Sequence, residues 1–237
     1  MKTLNCLLLV FFVCFLPQPT VWADGQKAPS DAAEELDLPR DIIENSPVIQ
    51  KWLKEIPDVA GEIRHKPSFS TLLRLGYSQF PSSHHAGGFS FALEDLFIAN
   101  TPLTVNAQYS RNFDGANRKQ KRQTAGGSLQ YYLLPLGDYV NVAPIVGYKY
   151  IKTGDYATGG LNLGVKLKLA LSPGGGSDIS VTQSFLSPTS SQEVGMTEIT
   201  AGYAITKSMR LFSGISWQNS IKQADSQVTV GLELLLK

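Results

Sequence analysis

Between residues 159 and 171 the chain reads GGLNLGVKLKLAL, and from Leu161 to Leu171 every second residue is aliphatic. Asn162, Gly164, Lys166, Lys168 and Ala170 stand between them. Side chains of a β-strand alternate between faces, so a period of two predicts a two-faced strand. The same period recurs from Phe69 to the C-terminus and predicts ten strands, near 68–80, 88–98, 102–112, 124–135, 139–151, 159–171, 177–186, 194–205, 208–218 and 226–236. The apolar sets include Phe69, Leu73, Leu75 and Tyr77, then Leu103, Val105, Ala107 and Tyr109, and at the end Val228, Val230, Leu232, Leu234 and Leu236. Most of these runs reach the ~9–11 residues that a tilted strand needs to cross a bilayer. Ordinary globular strands average roughly 5–6 residues.

The connections add a second regularity. Odd-to-even joins read as long and polar (PSSHHAG, DGANRKQKRQ, KTGDYATG, SPTSSQE, NSIKQAD), whereas even-to-odd joins read as tight. That asymmetry suits an up-and-down meander with loops on one side and turns on the other. The fold class expected is all-β: an up-and-down antiparallel transmembrane β-barrel of about ten strands, or eight or twelve if a hairpin is miscounted, with a short N-terminal helical segment.

Alternation alone does not say which face is wet. The polar face is rich in Ser, Thr, Gly, Asn and Gln, with sparse charges of both signs, where a solvated sheet would carry a dense coat of Lys and Glu. Such residues fit a narrow lumen, so Arg74, Glu94, Asn106, Gln108, Lys149, Lys166, Lys168, Glu198 and Glu233 are expected to line it. Aromatic residues fall near strand ends. Tyr77, Tyr109, Tyr148, Tyr150, Phe185 and Trp217 lie on the loop side, and Phe69, Phe97, Tyr203 and Phe212 on the turn side, as two interfacial belts would. Leu161 to Leu171 are then expected to face lipid, and the sheet must close because no water is there to satisfy an edge.

The first residues carry Lys2, an apolar run from Leu7 to Leu16, and Val21-Trp22-Ala23. This predicts a signal peptide over 1–23, cleaved between Ala23 and Asp24, and Sec-type secretion to the outer membrane. A polar leader (24–45) and a short helical segment (46–66) follow, before a barrel from 67 to 237. Ser46-Pro47 is a helix start, and Ile49, Trp52, Leu53 and Ile56 recur at helical spacing. That face packs on the barrel end, plugs a lumen, or docks a periplasmic protein.

Charge and cysteine usage narrow the chemistry. The whole chain has 21 Lys and Arg against 20 Asp and Glu, too balanced for a nucleic-acid binder. Its 2 cysteines, Cys6 and Cys14, lie in the signal segment, which leaves the mature chain without a thiol nucleophile, a disulfide or a cysteine metal site. No Gly-x-Ser-x-Gly is present, SPGGGSD lacks the Lys-Ser/Thr of a P-loop, and His84-His85 reads as loop decoration. No catalytic residue, metal or cofactor is expected. The densest charge cluster, Arg118, Lys119, Lys121 and Arg122, reads as a solvated loop able to attract lipopolysaccharide phosphates or an acidic surface polymer.

The runs ENSPVIQKWLKEIPDV (44–59), SFSTLLRLGYSQFPSS (68–83), LTVNAQYS (103–110), YVNVAPIVGYKY (139–150) and VGMTEITAGYAIT (194–206) resemble secreted proteins of cyanobacteria. The resemblance spans most of the mature chain, implies a Gram-negative type of envelope, and supplies no catalytic residue. The function expected is a small non-enzymatic outer-membrane barrel with restricted solute passage or none. The alternatives are an envelope scaffold and, further off, a rim hydrolase.

Overall fold

In a computed structural model of the chain, the residues described are 45–54, 63, 66–83, 86–99, 101–113, 121–172, 175–221 and 224–236. Among the described residues the α-helix is α1 (Pro47–Lys54), which belongs to the first of two compact units, residues 1–57, while the strands belong to the second, 58–237. Ser46 caps it: the Ser46 hydroxyl accepts from the Ile49 N–H at 3.4 Å and the Ser46 carbonyl from the Gln50 N–H at 3.0 Å. Ile49, Trp52 and Leu53 are on α1, whereas Ile56 and the cleavage pair Ala23 and Asp24 lie outside the described residues.

Ten strands follow. They are β1 (Thr71–Phe80), β2 (Ala86–Phe97), β3 (Leu103–Asn112), β4 (Arg122–Tyr131), β5 (Val140–Thr153), β6 (Tyr156–Ala170), β7 (Ser177–Leu186), β8 (Val194–Ala204), β9 (Met209–Ser220) and β10 (Ala224–Leu236). Each pairs antiparallel with its chain neighbours, and β10 returns to β1 from Thr71↔Leu236 to Gln79↔Val228, so the barrel is closed and has no edge. The strands run 10 to 15 residues, well beyond the globular average.

The alternation takes the phase expected. On β6, Leu161 is 50% exposed on the outer surface, while Asn162, Lys166 and Lys168 are buried inside. The same outward phase carries Leu75, Val146, Ile199, Leu211, Val230 and Leu232. This is an inside-out protein: large aliphatics on the exterior and most of the buried polar groups around the axis.

One bulge breaks the alternation. Between Leu93↔Ala107 and Leu96↔Val105 two residues of β2, Glu94 and Asp95, oppose Asn106 of β3. Asp95 adopts φ 55°, a left-handed conformation that Asp tolerates better than most residues, and its N–H donates to Asn106 Oδ1 at 2.9 Å. Strict alternation would turn Asp95 outward. The extra residue lets both neighbouring carboxylates point inward, at 8% and 0% exposure.

Three expectations are corrected. KTGDYATG is not a long loop: β5 and β6 pair as far as Thr153↔Tyr156, leaving a two-residue turn with Gly154 at φ 63°. On the turn side, the β4–β5 connection is the longer one, over 132–139, with Asn141 Nδ2 donating to the Leu134 and Pro135 carbonyls. Third, of the four rings expected in the turn-side belt only Tyr203 is exposed there. Phe69 and Phe212 are buried within the barrel and Phe97 packs inside it, because Phe69 precedes β1 and turns in and Phe212 shares the inward phase of Arg210. Tyr131, Tyr139 and Tyr203 are the exposed turn-side rings; on the loop side Tyr77, Tyr148 and Trp217 are exposed as expected.

Candidate functional site: a charge ring in the lumen

At the turn-side end of the lumen, long inward side chains converge from six strands: Arg74 (β1), Glu94 and Asp95 (β2), Lys166 and Lys168 (β6), Asp178 (β7), Arg210 (β9) and Glu233 (β10). Each lies near the end of its strand that adjoins a tight turn or the β10–β1 seam. Four are cationic and four anionic.

Their contacts close a circuit in which signs alternate. Arg74 pairs with Glu94 and, at 2.6 Å, with Glu233. Glu94 also pairs with Lys166, whose ammonium is 3.5 Å from Asp95. Asp95 takes Lys168 at 2.5 Å, and Lys168 reaches Asp178 at 3.4 Å. Asp178 pairs with Arg210, and Arg210 closes the ring on Glu233 at 2.9 Å. Every member touches two opposite charges.

Side contacts hold the ring in place. The Tyr132 hydroxyl donates to Asp95 Oδ1 at 2.7 Å, and burial together with that carboxylate pushes the Tyr132 phenol well above its ordinary range, which keeps it a donor. Arg210 Nη1 donates to the Gly175 carbonyl at 3.0 Å. The Lys168 ammonium lies 4.4 Å from the Phe69 ring centroid, and the Arg74 guanidinium 5.4 Å from that of Phe212. Glycine makes room: a Cβ at Gly202 would strike the Arg210 guanidinium and Glu233, so only hydrogen at this inward position seats that pair.

Beneath the ring, the turn-side mouth is filled with apolar groups. Phe69, Tyr132, Leu136 and Ala143 form one buried cluster with Phe97 against it, the Phe69 and Tyr132 rings 4.8 Å apart. The entering chain is pinned there. Ser68 donates from its N–H to the Leu136 carbonyl at 2.8 Å and from its hydroxyl to the Asp138 carbonyl at 2.9 Å, and Gly137 N–H donates to the Ile63 carbonyl at 2.7 Å.

On the loop side of the ring lies a polar cavity of about 170 Å³, bordered by Gln108, Lys149, Thr182, Glu198, Ser216 and Thr229. It is smaller than the ~300–1,000 Å³ of typical small-molecule pockets. Lys149 is buried there and makes no ion pair among the described residues. Above it the barrel closes again through a buried Arg122–Asp225 pair at 2.8 Å and an apolar cluster of Ile151, Leu186, Val194 and Met196.

All nine residues expected in the lumen point inward. Arg74, Glu94, Lys166, Lys168 and Glu233 belong to the ring, Asn106 holds the bulge, and Gln108, Lys149 and Glu198 border the cavity. Arg122 is a correction. It opens β4 instead of ending a solvated loop, its register with Thr153 turns it inward, and Asp225 takes its charge. Lys121 is half-buried just before β4, while Arg118, Lys119 and His84-His85 lie outside the described residues.

Asp95, Asp178, Arg210 and Tyr132 were not anticipated. Asp178 shares the parity of Ser180, Thr182 and Ser184, and Arg210 that of Gly214 and Ser216, so strand phase was an available signal for both. Neither the bulge at Asp95 nor the inward turn at Tyr132 has such a signal. No protein-family model and no curated protein matches the chain.

Proposed function

We propose that the protein is a secreted outer-membrane β-barrel that spans the bilayer and holds its own lumen shut, a structural barrel with at most restricted passage of small solutes and no catalytic role. The observation that carries this reading is the closed ring of eight alternating charges above an apolar stopper. Charges taken out of water in a low-dielectric interior are costly unless each is paired. A ring in which every member has two partners meets that condition and fills that level of the lumen with long side chains. Each carboxylate is held between two cations, an arrangement suited to bracing and filling, and ill suited to proton transfer.

The outward aliphatic face and the two rows of exposed rings support contact with acyl chains flanked by headgroups. A ten-stranded barrel is also well below the ~16 strands that leave an aqueous channel.

Reconstitution tests the reading. The folded chain should resist carbonate extraction from vesicles, migrate differently on gels before and after boiling, and give no conductance steps in planar bilayers. Large steps from the unmodified protein would overturn the closed lumen. Release by carbonate would overturn the membrane assignment.

A further inference from the structure

Among outward-facing strand positions the described residues hold two charges, Arg111 on β3 and Lys152 on β5. Both are cationic and both lie at the loop-side ends of their strands. Both flank the same residue: Arg111 pairs with Gln123 of β4, and Gln123 pairs with Lys152. Adjacent strands are ~4.8 Å apart, so the two stems stand about 10 Å apart with an amide between them, within reach of one tetrahedral oxyanion. Neither cation makes an ion pair among the described residues. The strand acids, by contrast, all point inward: Glu94, Asp95, Asp178, Glu198, Asp225 and Glu233.

The wall below this row has a shape to match. One step toward the barrel middle the register runs Tyr109–Ala125–Tyr150, and the next runs Ala107–Gly127–Tyr148. The outward floor along β4 is therefore Gln123, Ala125 and Gly127, with tyrosines standing on β5 beside both small residues and on β3 beside the first. A Cβ at Gly127 would meet nothing closer than 3.6 Å, so the floor there is open. This order of side-chain sizes makes a shallow trough along the outer surface of β4, with a pair of cations at its loop-side end. The level of the cations is also that of the exposed Phe113 and Phe89, which lies directly across from Arg111.

We propose that Arg111, Gln123 and Lys152 bind the phosphate of a membrane lipid whose acyl chain lies in the trough over Ala125 and Gly127. Two cations with no ion pair among the described residues, set at the loop-side end of a wall whose strand positions are otherwise uncharged, draw an anionic headgroup to that level of the interface. A lipid headgroup supplies that anion at the right depth, and the small-residue floor explains why the chain seats below it. This inference rests on the membrane reading, since the trough is a lipid site only if the wall faces lipid.

The test uses native mass spectrometry of the folded protein in a mild detergent. It would be offered phosphatidylglycerol, phosphatidylcholine or inorganic phosphate, with insertion into vesicles and heat-modifiable migration checked on the same preparations. Phosphatidylglycerol should be retained about one per barrel and phosphatidylcholine far less, since its choline neutralises the phosphate. R111Q and K152Q should each lower retention on the order of fivefold. G127L, which changes no charge and fills the trough, should lower it too. The proposal is overturned by equal retention of the two lipids, by no loss in the R111Q/K152Q double variant, or by inorganic phosphate displacing the lipid, which marks a free-anion site. In each of those cases normal insertion leaves the membrane reading standing. Failure of the unmodified protein to insert into either kind of vesicle overturns both.

Discussion

Replacing Arg74, Glu94, Arg210 and Glu233 together by alanine is expected to turn a silent barrel into one that passes ions in discrete steps. These four side chains form the arc of the ring on β1, β2, β9 and β10. They carry two charges of each sign, and the arc that remains, Lys166, Asp95, Lys168 and Asp178, is also balanced. Truncation therefore removes bulk without leaving a net buried charge. The wall behind the arc is already cut back by Gly76, Gly202 and Gly231, and the Phe212 ring that lies against Gly76 and Gly231 is the large inward side chain next to the vacated space. Water should enter, and with it ions.

Single substitutions should behave differently. Arg210→Ala alone strands Asp178 and Glu233 with one cation fewer and should cost about 3–5 kcal/mol, the usual penalty for breaking a buried pair. Adding Glu233→Ala should recover part of that loss, and a double-mutant cycle from chemical unfolding in vesicles would read the difference. If the four-alanine protein folds, inserts and remains silent, the stopper of Phe69, Phe97 and Tyr132 closes the barrel and the ring is only a brace.

The second large effect concerns the exterior. Leu163 sits midway along β6 with Val146 and Phe185 as outward neighbours. Leu163→Arg should destabilise the inserted barrel by roughly 2–4 kcal/mol, the cost of an arginine at the bilayer midplane on a lipid-facing strand. Were the same surface bathed in water, the change would stay within about 0.5 kcal/mol, as exposed substitutions usually do. Gln108→Glu, which adds a charge on the cavity at the level of the buried Lys149, is the matched control and should leave insertion intact. Equal, small effects of both substitutions would contradict a lipid-facing exterior.

The period of two was enough to locate all ten strands and the inward phase of Arg74, Lys166, Lys168 and Glu233, because a face that must be uniformly apolar forces strict alternation along long strands. What that period could not carry is whatever departs from it. Asp95 enters the lumen through a bulge, a backbone choice that leaves no mark in a hydropathy pattern. Arg122 resembles loop because it follows five other basic or amide residues, yet it begins a strand. Aromatics are plentiful at strand ends, which makes Phe69 and Phe212 resemble belt residues, but Phe212 has the inward phase of Arg210 and Phe69 turns in ahead of β1, where they meet Arg74 and Lys168. The ring itself is a property of six strands at once. Sequence shows which charges face inward, but pairing partners up to 159 residues apart are set by barrel closure.

Single-cysteine spin labels at successive positions from Leu161 to Leu169, in barrels reconstituted into phospholipid vesicles, test the central claim most directly. Collision with oxygen, which concentrates in the bilayer, should be high at Leu161, Leu163, Val165, Leu167 and Leu169 and low at the positions between. A water-soluble nickel complex should reach none of the five. Strong collision with nickel at those leucines, or the loss of a two-residue period in the oxygen profile, would contradict a barrel whose aliphatic face meets lipid and whose charges are gathered at its axis.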